Sequence, residues 1–125
     1  MPGYSTVGSN KLPEALAFYD ALLGSIGIGK MFDHPSGGRI YAGKDGSFFG
    51  VLGPYDGQPA TVGNGSMTGF PLDSEEKIAA FHAKALELGG TCDGAPGPRG
   101  PEGAGIYFAY VRDLDGNKLC AYKFG

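Results

Sequence analysis

The sequence predicts an α+β domain built from one repeated unit, strand–helix–three strands, and three observations lead there. Two stretches carry helical periodicity. Leu12, Leu16, Tyr19, Leu23 and Ile26 recur at spacings of four and three, as do Ile78, Phe81, Ala85 and Leu88, which places each set on one helix face. The remaining apolar segments are short and bounded by glycine, proline or Asp-Gly, as strands are. The two halves also match. Ala17-Phe18 and Ala80-Phe81 lie 63 positions apart, Leu23/Leu86 and Gly27/Gly90 keep that offset, and Tyr4-Ser5-Thr6-Val7 then aligns with Met67-Thr68-Gly69-Phe70. Later the offset becomes 70, pairing Asp45-Gly46-Ser47-Phe48-Phe49-Gly50 with Asp115-Gly116-Asn117-Lys118-Leu119-Cys120. A repeat of this kind implies that neither half buries its apolar face alone.

The elements follow in order. Tyr4 to Val7 is the first strand. Asn10 is the expected N-cap of the first helix, Pro13 suits its first turn, and Gly24 or Gly27 ends it. Strands follow at Ile28 to Asp33, Arg39 to Ala42 and Ser47 to Leu52, with Asp45-Gly46 as a two-residue turn signal. Gly53 to Gly65 reads as a connector, so the first module spans about 1–53, the connector about 54–64 and the second module about 65–125, all within one domain. Ser66 to Phe70 is a strand. Asp73 with Glu76 resembles a capping box before the second helix, which Gly89 and Gly90 close. A weak strand near Thr91, then Ile106 to Arg112 and Lys118 to Phe124, complete the unit, with Asp115-Gly116 as the matching turn.

Composition narrows the function. Glycine takes 24 of 125 positions and proline 9, about a quarter of the chain, a level at which low complexity is suspected. The apolar periodicity and a net charge of only −3 argue for a globular domain with many tight turns instead. The ten Lys and Arg form no basic stripe, so no nucleic-acid partner is expected. No apolar run nears the ~20 residues of a membrane helix, so no membrane partner is expected either. Met1 to Asn10 lacks the charged and apolar regions of a secretory leader. The chain is therefore expected in the cytoplasm, with Cys92 and Cys120 as free thiols.

Three motifs invite chemistry and are read structurally. Gly24 to Lys30 fits G-x-x-x-x-G-K, but Met31 stands where a phosphate loop needs Ser or Thr, and the order is helix then strand. Gly94 to Gly105 makes four Gly-X-Y triplets, too few for a triple helix, and reads as a surface loop that could lid a pocket. His34 before Pro35 and His82 beside the second helix's apolar face belong to no local metal motif.

The pattern Tyr4-Ser5-Thr6-Val7-x-x-Asn10-x-Leu12, then Ala17-Phe18-Tyr19-Asp20-x-Leu22-Leu23, and above all Ala109-Tyr110-Val111-Arg112-Asp113-Leu114-Asp115-Gly116-Asn117-Lys118-Leu119, resembles the vicinal-oxygen-chelate superfamily. This is the glyoxalase, bleomycin-resistance and extradiol-dioxygenase group, and the likeness runs over essentially the whole chain. The resemblance implies two paired βαβββ modules forming a cupped eight-stranded mixed sheet, helices on the outside, in a homodimer. In metal-using members four inward positions, typically His, Glu, His and Glu, hold the ion. The matching positions here are Tyr4, Gly50, Met67 and Cys120, and Leu114 replaces the family's proline in the tail. Glycine offers no ligand, a thioether is a poor donor for nickel, zinc or iron(II) in such sites, and one thiolate does not make a site. No metal or other cofactor is therefore expected, although a different ion held by Cys120, Tyr4 and His34 is a competing reading.

Three functions follow as expectations. One is a metal-free protein that binds a small organic molecule in a cup lined by Tyr4, Phe48, Gly50, Met67, Cys120 and Tyr122. Another is a glyoxalase-like lyase or isomerase, or a dioxygenase-related enzyme, with a non-standard site using Tyr4 as acid or Cys120 as nucleophile, the latter helped by Lys118. The third is a structural homodimer whose cup is filled.

Overall fold

A computed structural model describes residues 3–125. The chain runs β1 (Tyr4–Gly8), α1 (Leu12–Gly24), β2 (Gly29–Asp33), β3 (Arg39–Ala42), β4 (Phe48–Leu52), β5 (Thr68–Pro71), α2 (Glu75–Glu87), β6 (Thr91–Pro98), β7 (Tyr107–Arg112) and β8 (Lys118–Lys123). This is the strand–helix–three-strand order twice over. The eight strands fall into two four-stranded mixed sheets, β1-β4-β3-β2 and β5-β8-β7-β6. In each, the first strand pairs parallel with the last and the remaining pairs are antiparallel. The repeat extends to register: Thr6 sits opposite Gly50 and its counterpart Gly69 opposite Cys120.

Alternation decides which face of each sheet is dry. Phe49 and Val51 from β4, and Ala109, Val111, Leu119 and Ala121 from β7 and β8, enter one core with Phe18, Tyr19, Leu22 and Leu23 of α1 and Ile78, Phe81 and Ala85 of α2. Phe49 and Phe70 meet edge to face, 5.4 Å between centroids, so the core is continuous across the modules. The repeat's implication that neither half buries its apolar face alone is met by this shared core.

The most specific stretch of the tail is a clamp between the modules. Asp113 is buried and its carboxylate accepts from the Tyr19 hydroxyl (2.6 Å), the Asn117 side-chain amide (2.9 Å) and the backbone N–H groups of Asp115 (2.9 Å) and Asn117 (2.8 Å). Asn117 also donates to the Gly8 carbonyl (2.9 Å), while Asp115 accepts from the Ser9 hydroxyl (2.6 Å) and the Asn10 N–H (2.9 Å). Burial, reinforced by the Asp113 charge, pushes the Tyr19 hydroxyl well above the ordinary phenol range, so it stays a donor.

Several local expectations are corrected. Asn10 does not cap α1. Lys11 occupies that position without a side-chain cap, its N–H donates to Ser9 Oγ (3.0 Å), and Asn10 is spent on the connector through both polar groups of Ala60. Ser74, not Asp73, caps α2 by accepting from the Lys77 N–H (3.1 Å), and Asp73 pairs with the Lys77 ammonium (2.9 Å). The Asp-Gly turns are five-residue connections, closed by Gly43 N–H to Ser47 carbonyl (3.0 Å) and Asp113 N–H to Asn117 carbonyl (2.9 Å). Each Asp-Gly forms the middle of its connection, with Gly46 and Gly116 at positive φ. Five of the twelve residues of the Gly-X-Y run are strand rather than loop: β6 extends to Pro98, with register shifts that absorb its glycines and prolines.

Candidate functional site

Each sheet has a face that no helix covers. On the first sheet, an added Cβ at Gly50 would meet Ile40 Cδ1 (3.0 Å), Thr6 Cγ2 (3.1 Å) and the Leu52 side chain (3.4 Å), so these four share the open face. Tyr4 and Phe48 complete it by alternation and touch edge to face at 6.2 Å. On the second sheet, a Cβ at Gly69 would meet Tyr122 Cε1 (2.9 Å) and Cys120 Sγ (3.2 Å), so Cys120 and Tyr122 share its open face. Met67 lies one residue before β5.

Of the six residues expected to line a cup, Tyr4, Phe48 and Gly50 lie on the helix-free face of the first sheet and Cys120 and Tyr122 on that of the second. Tyr4, Phe48 and Met67 are 54%, 39% and 47% exposed, whereas Cys120 is buried. Among the described residues, no hydrogen bond or aromatic contact joins the Tyr4–Phe48 pair to Cys120 or Tyr122. Two cavities lie away from these residues. One of about 450 Å³ is walled by the Gly/Pro segment through Arg99, Pro101 and Ile106, the segment expected as a lid. Another of about 790 Å³ lies between the end of α1 and α2, at Ile26, Leu72 and Phe81. Neither includes any of the six.

The donor set does not fit the family's metal. Gly50 supplies no ligand, and its neighbours crowd the space where a longer side chain would stand. Among the described residues, no three His, Cys, Asp or Glu side chains group as an ion would require. His34 is tied into its own turn, with Nδ1 accepting from the Ser36 N–H (3.1 Å) and 3.0 Å from Ser36 Oγ. His82 is mostly buried and its Nε2 lies 3.2 Å from Cys92 Sγ, and burial pushes its pKa down.

Cys120 is a poor nucleophile as placed. Burial pushes its thiol up to about 11, with Lys118 opposing only in part, and the Lys118 ammonium is engaged by Asp93 (3.3 Å). Cys92 is exposed. Iodoacetamide at pH 7.5 is therefore expected to alkylate Cys92 at least tenfold faster than Cys120, followed by intact mass and peptide mapping. Equal rates would show that Cys120 opens to solvent.

Sequence reasoning missed a cluster on the open face of the second sheet: Phe108, Tyr110 and Arg112, with Asp93 and Arg99 from the neighbouring strand and loop. Asp93 pairs with both Arg112 (3.0 Å) and Lys118 (3.3 Å). The period-two pattern Phe108-x-Tyr110-x-Arg112 was the available signal.

Two four-stranded sheets in repeated βαβββ order, with an open face on each, define a paired-module protein of the vicinal-oxygen-chelate kind. By similarity of structure, the chain matches a glyoxalase/bleomycin resistance protein from Albidiferax ferrireducens, with 45% identity, 96% of this chain and 95% of that one covered, and a TM-score of 0.85. The chain belongs to the glyoxalase/bleomycin resistance protein family. A glyoxalase/bleomycin resistance protein/dioxygenase family enzyme from Burkholderia phytofirmans shares the fold at 17% identity, 96% and 95% coverage and a TM-score of 0.74. So does a lactoylglutathione lyase from Agrobacterium tumefaciens, at 15% identity, 98% and 92% coverage and a TM-score of 0.71. No family model and no curated protein matches the chain by sequence. No helix of the described residues is long and apolar enough to cross a membrane.

Proposed function

We propose that this chain binds a small organic molecule on the open faces of its sheets, without the family's usual metal, as a homodimer in which a second copy closes the cup. The observation that carries this reading is the composition of the four positions that match the family's metal ligands, Tyr4, Gly50, Met67 and Cys120, of which Tyr4 and Met67 are exposed in the single chain while Gly50 and Cys120 are buried. Tyr4 and Phe48, exposed and in contact edge to face, give the open face of the first sheet an apolar patch of the kind that marks association or ligand sites. A second copy packed on this exposed apolar surface would supply the missing wall of the cup. No carboxylate stands at the family's ligand positions to act as a proton-moving base, which disfavours a glyoxalase-type reaction.

The test is direct. Protein purified without chelator or affinity tag is assayed for metal content, for thermal shift with nickel, zinc, manganese and iron(II), and for mass by light scattering. The expected result is a dimer with substoichiometric metal and shifts below about 2 °C, since a shift follows only from binding to the folded state. Stoichiometric metal or shifts of several degrees would overturn the metal-free reading, and a monomer would overturn the closed cup.

A further inference from the structure

The open face of the second sheet carries an ordered set of aromatic rings. Phe108 lies nearly parallel to both Tyr110 and Tyr122, at 20° and centroid distances of 5.6 and 5.3 Å. Phe124 stands edge-on to Phe108 (5.7 Å, 82°) and to Tyr122 (5.7 Å, 68°). Glycines on the flanking strands make room for this set. A Cβ at Gly94 would come within 2.6 Å of Tyr110 Cδ2, and one at Gly69 within 2.9 Å of Tyr122 Cε1. The outer tyrosines therefore lean over neighbouring backbone that has no side chain.

Cations frame the same rings. The Lys118 ammonium lies 5.0 Å and the Arg99 guanidinium 5.7 Å from the Tyr110 centroid. Lys118 and Arg112 share one carboxylate, Asp93. Arg99 enters no ion pair among the described residues. Its guanidinium is instead held by the carbonyls of Ala95 (2.8 Å) and Pro98 (3.1 Å), and Gly97 leaves it room, since a Cβ there would sit 3.0 Å from Nη1. The Gly-X-Y run thus delivers to the edge of the ring set a fixed cation with no ion-pair partner among the described residues, in a cavity that Glu75 and Glu102 also line.

Resting on the small-molecule reading above, we infer that this face takes a planar aromatic anion of the aromatic carboxylate class. Its ring packs with Phe108 and Tyr122, and its acid group faces Arg99. Near-parallel rings select a flat ligand, and an unpaired guanidinium selects an acid through charge-assisted hydrogen bonds.

Three probes test it: 2-naphthoate by fluorescence anisotropy, and 2-naphthylmethylammonium and cyclohexanecarboxylate as competitors. The expected result is that 2-naphthoate binds and each competitor is at least tenfold weaker. Arg99→Gln and Phe108→Leu should each raise the Kd for 2-naphthoate about tenfold, the scale of one lost charge-assisted contact or ring contact. Binding of the ammonium probe equal to that of 2-naphthoate overturns the anion assignment, and equal binding of cyclohexanecarboxylate overturns the planar one, whether or not the variants fold. If these probes fail but a broad fragment panel shifts the melting temperature, the inference falls and the small-molecule reading stands. If nothing in the panel shifts it, both fall.

Discussion

Asp113→Ala is expected to cost about 3–5 kcal/mol of folding stability, the scale of removing one partner from a buried, charged hydrogen-bond set. The carboxylate holds Tyr19 of the first module, the Asn117 side chain and two backbone N–H groups. Alanine leaves the Tyr19 hydroxyl without its acceptor in a site closed to water. Tyr19→Phe deletes a single hydrogen bond and should cost only about 1–2 kcal/mol. Urea unfolding followed by far-ultraviolet circular dichroism suits a chain with no tryptophan. A loss below 1 kcal/mol for Asp113→Ala would show that the modules hold together without the clamp.

Gly38→Ala is the second large effect. An ideal Cβ there would stand 2.1 Å from the Val51 carbonyl oxygen, 2.8 Å from Leu52 Cα and 3.0 Å from Val51 C, all backbone atoms of β4. Backbone of a central strand cannot swing aside as a side-chain tip can, so the β3–β4 pairing must separate. The expected cost is about 3 kcal/mol or more, read as a loss of soluble folded protein or a drop of more than 10 °C in Tm for a domain of this size. Gly24→Ala, at the end of α1 with nothing within 4 Å, is the matched control and should be neutral or slightly stabilising. Equal melting temperatures for the two variants would remove the steric argument.

The order of elements was legible in the sequence because each is short and its apolar residues keep step with one period. Arg39–Ala42 was read to the residue, and the other strands apart from β6 to within one or two. The caps were not legible. Asn10, Ser74 and Asp73 are all competent N-cap side chains; the tertiary partner Ala60 spends Asn10 on the connector, and the local i,i+4 pair with Lys77 engages Asp73 while Ser74 caps the helix. The length of β6 was hidden because glycine and proline are poor strand residues, yet pairing with β7 carries them through register shifts. The open faces were legible from alternation, which placed Tyr4, Phe48, Gly50, Cys120 and Tyr122 away from the core. How those faces meet was not, since two sheets that each alternate correctly say nothing of how their free sides are arranged. Arg99 was invisible as a functional group, because its position follows from two carbonyl contacts in a segment that resembles a disordered linker.

The clamp also sets a schedule for folding. Ser9 and Asn10 find their partner in Asp115, and the Gly8 carbonyl finds its own in Asn117, more than a hundred positions downstream. At synthesis rates of about 5–20 residues per second, the turn after β1 waits about 5–20 seconds for those groups to be made. Until β7 and β8 arrive, the opposite wall of the first module's core holds only the residues of β5 and α2. A nascent chain of this protein therefore commits to its final structure late, when the last hairpin arrives, and its vulnerability to misassembly is concentrated in the time before then.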